Sequence, residues 1–321
     1  AAQFEAVASR VRRAAKVSVV AHIKPDADAI GSACALAAGL RKLGTDAQVY
    51  IGQPLPHSSN MRTIPGVDEI LYDQPLPANG LVVTVDCASA DRTGSHMPAI
   101  LSDPSRVVVI DHHNTNPGFG GMNLIVESES TTVLVRELLG YLGAELDPDI
   151  AYGLYAGLVT DTGSFRWGTP RMHELAAELM QFGLNTRQIA MDLMDTMGPV
   201  DLQLMGAVLS KTQIVPTKGF SLAVLTIPVG IHSRMSQTAV EAIIDYARSL
   251  EGTDVGVVLK EQAPKFWAMS LRSTVVDVSA VAQRLGGGGH RAAAGYSAAG
   301  SRDAIIRELI DAFPEHPSAH D

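Results

Sequence analysis

The sequence predicts an α/β fold: a mostly parallel sheet in an N-terminal domain, a helical connector, and a smaller α/β domain after it. Three observations carry this expectation. The runs VSVVAHI (17–23), LVVTVD (81–86) and RVVVID (106–111) are apolar without alternation, the pattern of strands buried on both faces. Between and after them lie segments whose apolar residues recur every three or four positions, as in helices that pack on a sheet. Each run also leads into ionisable residues, and the carboxyl ends of strands in open α/β sheets are where ligands gather.

Along the chain, Ile30, Ala33, Leu36, Ala37, Leu40 and Leu43 predict a helix over 30–43, with Gly44 as its stop. Thr131 to Leu142 has the same period. A third helix opens with Asp147 as N-cap and Pro148 at its first position and runs towards Val159. Residues 185–211 keep helical spacing but are broken at Gly198-Pro199. Beyond them FSLAVLTI, DVGVVLKE and FWAMSLRS are strand-like, and 239–250 and 303–312 are helical. The expected organisation is a first domain over 1–185, a connector over 186–211 and a second domain over 212–321. A length of 321 residues suits two domains, at roughly 150 residues each.

Composition narrows the class. With 46% hydrophobic and 18% charged residues the chain is that of a folded protein. No apolar run reaches the roughly 18 residues that span a bilayer. VSVVA follows a basic cluster, but it is shorter than a signal core and leads into charged residues, so a cytoplasmic location is expected. Cys34 and Cys87 are the only cysteines and do not make a disulfide framework. The net charge of −9 excludes a broad basic face that coats long DNA or RNA. It allows short phosphorylated substrates, because a site that holds metal concentrates carboxylates.

The chemistry lies where the runs end. VVAHIKPDADAIGS gives His22, Asp26 and Asp28; VVTVDCA gives Asp86; VVVIDHH gives Asp111, His112 and His113; GLVTDTGSFRW gives Asp161, where the chain turns at Gly163. A single Asp after a strand is most often a turn or cap residue. Asp28 alone could cap the helix that follows, and His22 alone could be a hydrogen-bonded core histidine. Across four segments the pattern has another meaning. Gathered carboxylates repel and lose hydration, and a divalent cation relieves both costs. Oxygen ligands with a minority of imidazoles and no thiolate cluster suit Mn²⁺ or Mg²⁺ better than structural zinc. Four Asp and two His among these are enough for two ions sharing one carboxylate, the arrangement used for in-line displacement at phosphorus. Cys87 reads as packing.

These motifs resemble the DHH phosphoesterases, named for the triplet present here as Asp111-His112-His113. Four blocks occur in order, AHIKPDADAIGS, TVDCA, IDHH and TDTGSF, and LGGGGHRAAAGY (285–296) is similar to the glycine-rich block of the DHH-associated C-terminal domain. The branch it resembles is the NrnA type, nanoRNases that also act on 3′-phosphoadenosine 5′-phosphate (PAP), some of whose members hydrolyse cyclic di-AMP or linear pApA. The resemblance implies two divalent ions, Mn²⁺ ahead of Mg²⁺. One is held by His22, Asp26 and Asp86, the other by Asp28, Asp86, His112 and Asp161, with Asp86 as the bridge. It makes His113 a contact to the substrate phosphate or leaving oxygen, and Asp111 the partner that fixes an imidazole tautomer.

In the second domain the resemblance implies a site for the terminal nucleotide built from Arg272, Ser273, Gly287, Gly288, Gly289, His290 and Arg291. Consecutive glycines are poor helix or strand material, but they let backbone amides approach an anion. Arg166, after the DTG turn, is a weaker candidate. The expected activity is hydrolysis of very short oligoribonucleotides to nucleoside 5′-monophosphates and of PAP to AMP. Expected partners are short RNA and phosphorylated adenine nucleotides, with no long nucleic acid and no membrane, in a homodimer suggested by apolar stretches around the connector. With 5% aromatics, extended base-stacking platforms are not expected. The alternatives are an inorganic pyrophosphatase or a processive exonuclease of the same family, and a nucleotide sensor whose metal site is structural.

Overall fold

In the computed structural model, which describes residues 1–315, the three apolar runs occupy the middle of one six-stranded parallel sheet. The elements in chain order are α1 (Ala2–Arg12), β1 (Lys16–Ala21), α2 (Ala27–Lys42), β2 (Asp46–Ile51), β3 (Leu71–Tyr72), β4 (Leu81–Val85), α3 (Met97–Ser102), β5 (Val107–Asp111) and β6 (Met122–Ile125). Then follow α4 (Thr131–Leu142), α5 (Pro148–Asp161), α6 (Pro170–Met180) and α7 (Thr186–Ala190). The strand order is β3-β2-β1-β4-β5-β6 with every pairing parallel. The order reverses direction between β1 and β4, the switch point beyond which open α/β sheets present a crevice.

Both faces of the sheet are covered, which is why its strands read as unbroken apolar runs. Val17, Val19, Ala21, Val83, Val85, Val108 and Ile110 join a core with α1, α2, α4 and α5. Val20, Val82, Val107 and Val109 join a smaller core with Tyr50 and Ile100. Each such valine or isoleucine contributes about 1.5–3 kcal/mol on burial.

The start of α2 differs from the expectation. Asp26 is its N-cap, accepting from the Ala29 N–H at 3.0 Å, and the helix begins at Ala27 instead of Ile30. Asp28 therefore lies inside the first turn, directed to other partners. Asp147 caps α5 as expected, accepting from the Ile150 N–H at 2.9 Å, and α5 extends to Asp161. Helices α2 and α5 meet backbone to backbone: a Cβ on Gly31 would lie 2.2 Å from the Gly153 carbonyl oxygen, so only glycine allows this approach.

The chain forms two units that part between Thr196 and Met197. The stretch expected as one connector divides there. Helix α7 and a π turn over Met191–Asp195 belong to the first unit, and α8 (Pro199–Leu209) to the second. The second unit continues through β7 (Gln213–Thr217), β8 (Phe220–Ile227), α9 (Val229–His232), α10 (Gln237–Arg248), β9 (Val255–Ala263) and β10 (Phe266–Arg272). It ends with α11 (Val278–Arg284), β11 (Gly288–His290), β12 (Ala293–Ala299) and α12 (Arg302–Ala312). Its sheet has the order β11-β12-β10-β9-β8-β7, antiparallel except for β8 with β9.

Strand β11 corrects the expectation that the glycine run forms neither helix nor strand. It lies tight on β12, where a Cβ on Gly287 would fall 2.1 Å from the Gly295 oxygen and one on Gly289 2.5 Å from the Ala293 oxygen. The missing side chains that weaken an ordinary strand are what let this one fit. Among the described residues no helix is long and apolar enough to cross a membrane.

Candidate metal centre

The candidate ligands leave the sheet at the carboxyl ends of β1, β4 and β5, around the switch point. His22 follows β1, and its Nδ1 donates to the Ile23 carbonyl at 2.8 Å. That turns Nε2 towards Asp26 Oδ2 at 3.6 Å and Asp86 Oδ2 at 3.5 Å. Asp86 follows β4 with a φ of 59°, a left-handed conformation that costs a residue of this kind about 1–3 kcal/mol. Its N–H donates to the Ile110 carbonyl at 3.0 Å, and its Oδ1 lies 3.5 Å from His112 Nε2. His112 is oriented in the same way as His22. Its Nδ1 donates to the Ser128 carbonyl at 3.1 Å, which leaves Nε2 3.9 Å from Asp28 Oδ2 and 3.4 Å from Asp161 Oδ2.

Two sets of donors result, His22 with Asp26 and Asp86, and Asp28 with Asp86 and His112, the donor atoms of each set lying within 4.8 Å of one another. Asp86 is common to both. A third set, Asp86 with Asp111 and His113, meets at the same carboxylate. Asp161 stands at the rim against His112, its side chain 34% exposed where that of Asp28 is 2%. The separations of 3.4 to 3.9 Å between imidazole Nε2 and carboxylate oxygens are long for hydrogen bonds. They suit two donors on one cation at about 2.0–2.2 Å each. Carboxylates with imidazoles and no thiolate therefore fit divalent cations.

The electrostatics of the bare site point the same way. Burial and the neighbouring charges of Asp86 and Asp26 hold the Asp28 carboxyl well above its usual range, against hydrogen bonds from the backbone of Thr131 and Thr132. Burial, partly opposed by His112 and reinforced by Asp28 and Asp86, pushes Asp161 up to about 8. Burial alone would lower the His22 pKa, but the charge of Asp26 and the nearness of its Nε2 to the carboxylates of Asp26 and Asp86 raise it to about 10. Burial likewise opposes a charged His113, and the hydrogen bond and charge of Asp111 raise it to about 9. A centre that keeps protons this firmly is one with a deficit of positive charge.

Several residues that support the centre escaped the sequence reading. The first backbone N–H groups of α4 grip Asp28: Thr131 N–H donates to Oδ2 at 2.7 Å and Thr132 N–H to Oδ1 at 3.0 Å. These are donors that a helix start leaves without intrahelical partners. The Thr131 hydroxyl donates to Asp86 Oδ1 at 2.9 Å, so one residue ties α4 to two candidate ligands. Asp111 is wholly buried; Oδ1 accepts from His113 Nδ1 at 2.8 Å and Oδ2 from Asn116 Nδ2 at 2.7 Å. The run Ser130-Thr131-Thr132 ahead of an apolar helix is a hydroxyl-rich start signal that could have drawn attention to this corner. Cys34 and Cys87 are buried free thiols.

In the second unit, Arg272 at the end of β10 and His290 at the end of β11 flank Ala293 of β12 from either side in register. Arg272 also donates to the Leu271 carbonyl at 3.0 Å. Gly287, Gly288 and Gly289 form the tight approach to β12, and Arg291 is exposed in the turn that follows. The Ser273 hydroxyl is committed to the backbone of its own turn and of the segment ahead of β9. It donates to the Asp254 carbonyl at 2.7 Å and accepts from the N–H groups of Val275 and Val276 at 3.0 and 2.9 Å.

Comparison with known proteins agrees with this architecture. Residues 16–158 match the DHH family, N-terminal domain, and residues 219–315 match the DHHA1 domain. The chain is 31% identical over 310 residues to the bifunctional oligoribonuclease and PAP phosphatase NrnA of Thermus thermophilus, covering 93% of this chain and 89% of that protein. It is 26% identical over 309 residues to the Bacillus subtilis protein of the same name, covering 92% and 94%. Among solved structures, an exopolyphosphatase-related protein from Bacteroides fragilis shares the fold with a TM-score of 0.82 at 22% identity, covering 97% of this chain and 95% of that one. With both domains in order and a relative at this identity along nearly its whole length, the chain belongs to the DHH family of metal-dependent phosphoesterases.

Proposed function

We propose that this protein hydrolyses very short oligoribonucleotides to nucleoside 5′-monophosphates and converts PAP to AMP, with two divalent ions, Mn²⁺ ahead of Mg²⁺. The observation that carries the reading is Asp86, whose carboxylate belongs to both donor sets, in a chain similar along its length to the Thermus oligoribonuclease and PAP phosphatase. His22, Asp26 and Asp86 would hold one ion, and Asp28, Asp86, His112 and Asp161 the other. What such a pair supplies at phosphorus is a lowered pKa for the attacking water and positive charge against the phosphoryl oxygens.

The protein's own residues do the rest. Ile23 and Ser128 carbonyls fix the imidazoles with Nε2 inward. The Nδ1 of His113 donates to Asp111 Oδ1, which fixes the orientation of an imidazole assigned to a phosphoryl or leaving oxygen; its side chain is 22% exposed, open enough for that contact. Without cations the attacking water keeps its ordinary pKa and the carboxyl groups of Asp26, Asp28, Asp86 and Asp161 offer no positive charge to the phosphoryl oxygens, so hydrolysis should stop on chelation. Arg272, His290, Arg291 and the amides of Gly287 to Gly289 are assigned to the nucleotide end of the substrate, and Ser273 to shaping their turn. A cytoplasmic location and a homodimer complete the reading, the latter supported by Val200 and Leu202 on α8, which are 52% and 61% exposed.

The test is a turnover panel with Mn²⁺ and with Mg²⁺ on pApA, cyclic di-AMP, RNA of increasing length, PAP and pyrophosphate. Turnover should be high on dinucleotides and PAP and fall steeply beyond a few nucleotides. Preference for pyrophosphate, or rates independent of RNA length, would overturn the assignment. Sedimentation of the full chain tests the dimer.

A further inference from the structure

The segment that follows Asp161 holds three successive left-handed residues, Gly163, Ser164 and Phe165, with φ of 55°, 63° and 62°. A left-handed turn is unfavourable for residues that carry a Cβ, so something outside the backbone must hold it. Trp167 does so from one side. Its Nε1 donates to the Asp161 carbonyl at 2.8 Å, and its ring covers Gly163 so closely that a Cβ there would lie 2.1 Å from a ring carbon. Arg166 reinforces the arrangement, with Nε donating to the Gly163 carbonyl at 2.6 Å and its guanidinium 5.7 Å from the indole centroid. Phe165 anchors the other side between the rings of Tyr155 and His173, at centroid distances of 6.0 and 5.6 Å.

Asp161 needs this support more than Asp28 or Asp86 do. It is the last residue of α5, where the helix end disfavours a carboxylate, and it contacts the centre at His112 from the rim. Trp167 is itself 45% exposed, so an indole at this position contributes little to the core. Its contacts with the Asp161 carbonyl and with Gly163 converge on the end of α5.

We propose that Trp167 is a positioning residue that fixes the end of α5, through its N–H on Asp161 and its ring on Gly163, so that the Asp161 carboxylate faces the ion it shares with His112. The proposal rests on the reading of Asp161 as a ligand. Trp167→Phe keeps an aromatic ring but removes the N–H and the outer edge of the indole that lies on Gly163; Trp167→Leu removes the aromatic ring altogether.

The experiment is a calorimetric Mn²⁺ titration of the full chain, with melting of the chelated protein as a second readout. Trp167→Phe should weaken one class of sites by about 10–100-fold, and Trp167→Leu should weaken it further. Adding Asp161→Asn to Trp167→Phe should cost less than Asp161→Asn alone. If both Trp167 variants bind Mn²⁺ as tightly as the parent, the proposal is overturned and the ligand assignment stands, even where the melting point drops. If Asp161→Asn alone leaves affinity unchanged, the ligand assignment falls and this proposal with it. A parent chain that binds no Mn²⁺ sinks both this proposal and the functional reading.

Discussion

Replacing Gly157 with alanine should separate activity from stability. Gly157 lies on α5 beside Asp28, and a Cβ added there would fall 2.5 Å from Thr132 Cγ2, 2.6 Å from Asp28 Oδ1 and 2.9 Å from Asp28 Cα. Ordinary contacts start at about 3.5 Å, so Asp28 would have to withdraw by roughly 1 Å. The carboxylate is already tied to the Thr131 and Thr132 amides, so there is little slack to absorb the shift.

Overpacking of this kind costs about 1–3 kcal/mol, and alanine returns about 1 kcal/mol through helix propensity. The net loss is about 0–2 kcal/mol, or at most about 8 °C in melting point for a unit of this size. A misplacement of about 1 Å at the chemistry costs about 10²-fold in rate. The assay is turnover of a dinucleotide with saturating Mn²⁺ alongside a thermal melt. Gly206→Ala in α8 is the control: its Cβ meets nothing within 4 Å, so it should gain up to about 1 kcal/mol and keep full activity. A Gly157→Ala protein that turns over within about twofold of the parent would refute the argument that Asp28 is positioned by this crossing.

The remaining predictions concern the neighbours of the centre. Chelation should lower the melting point, and more so at pH 8 than at pH 5. Asp161 is raised to about 8 and Asp28 is also raised, so their contribution to the metal-free fold is complete below the unfolded value near 4 and is lost as pH climbs towards 8. His22, raised to about 10, loses its contribution in the same direction. A gap between metal-loaded and metal-free melting points that narrows with rising pH would contradict this. Thr131→Val should cost the metal-free protein about 1.5–3 kcal/mol through the lost bond to Asp86, and Thr131→Ser much less; denaturant titration in the presence of chelator decides, and equal losses would remove the hydroxyl from the account. Asp111→Asn should lower kcat by about 10–100-fold with Mn²⁺ affinity retained, since it disturbs His113; a loss confined to KM would assign it to binding.

Much of this centre could be read from the order of residues because two periodicities coincide there. A buried strand must be apolar, so the ionisable groups at His22, Asp86 and Asp111 stand out where each strand stops. What could not be read depended on contacts between distant segments. Pro25, Asp26 and Asp28 give two acidic residues near one helix start, and only the packing of α4 shows that Asp26 caps while Asp28 turns to Thr131. Asp86 takes its left-handed φ just past the pairing of Val85 with Ile110, with its N–H on the Ile110 carbonyl, a contact between segments that neither shows alone. The glycine run forms a strand against its composition because strand propensity describes side chains, whereas β11 is selected by the nearness of Gly295 and Ala293. Likewise, helical spacing continues across Thr196 and Met197, although the units part there.

The grip of α4 on Asp28 joins residues 103 positions apart, so an ion held by Asp28 also clamps together two remote parts of the fold. Any ion bound only by the native form adds to its persistence, by about 2.7 kcal/mol when present at a hundredfold excess over its dissociation constant. The abundance of this protein, through its exposure to proteases, should therefore rise and fall with the supply of the same ions that set its turnover.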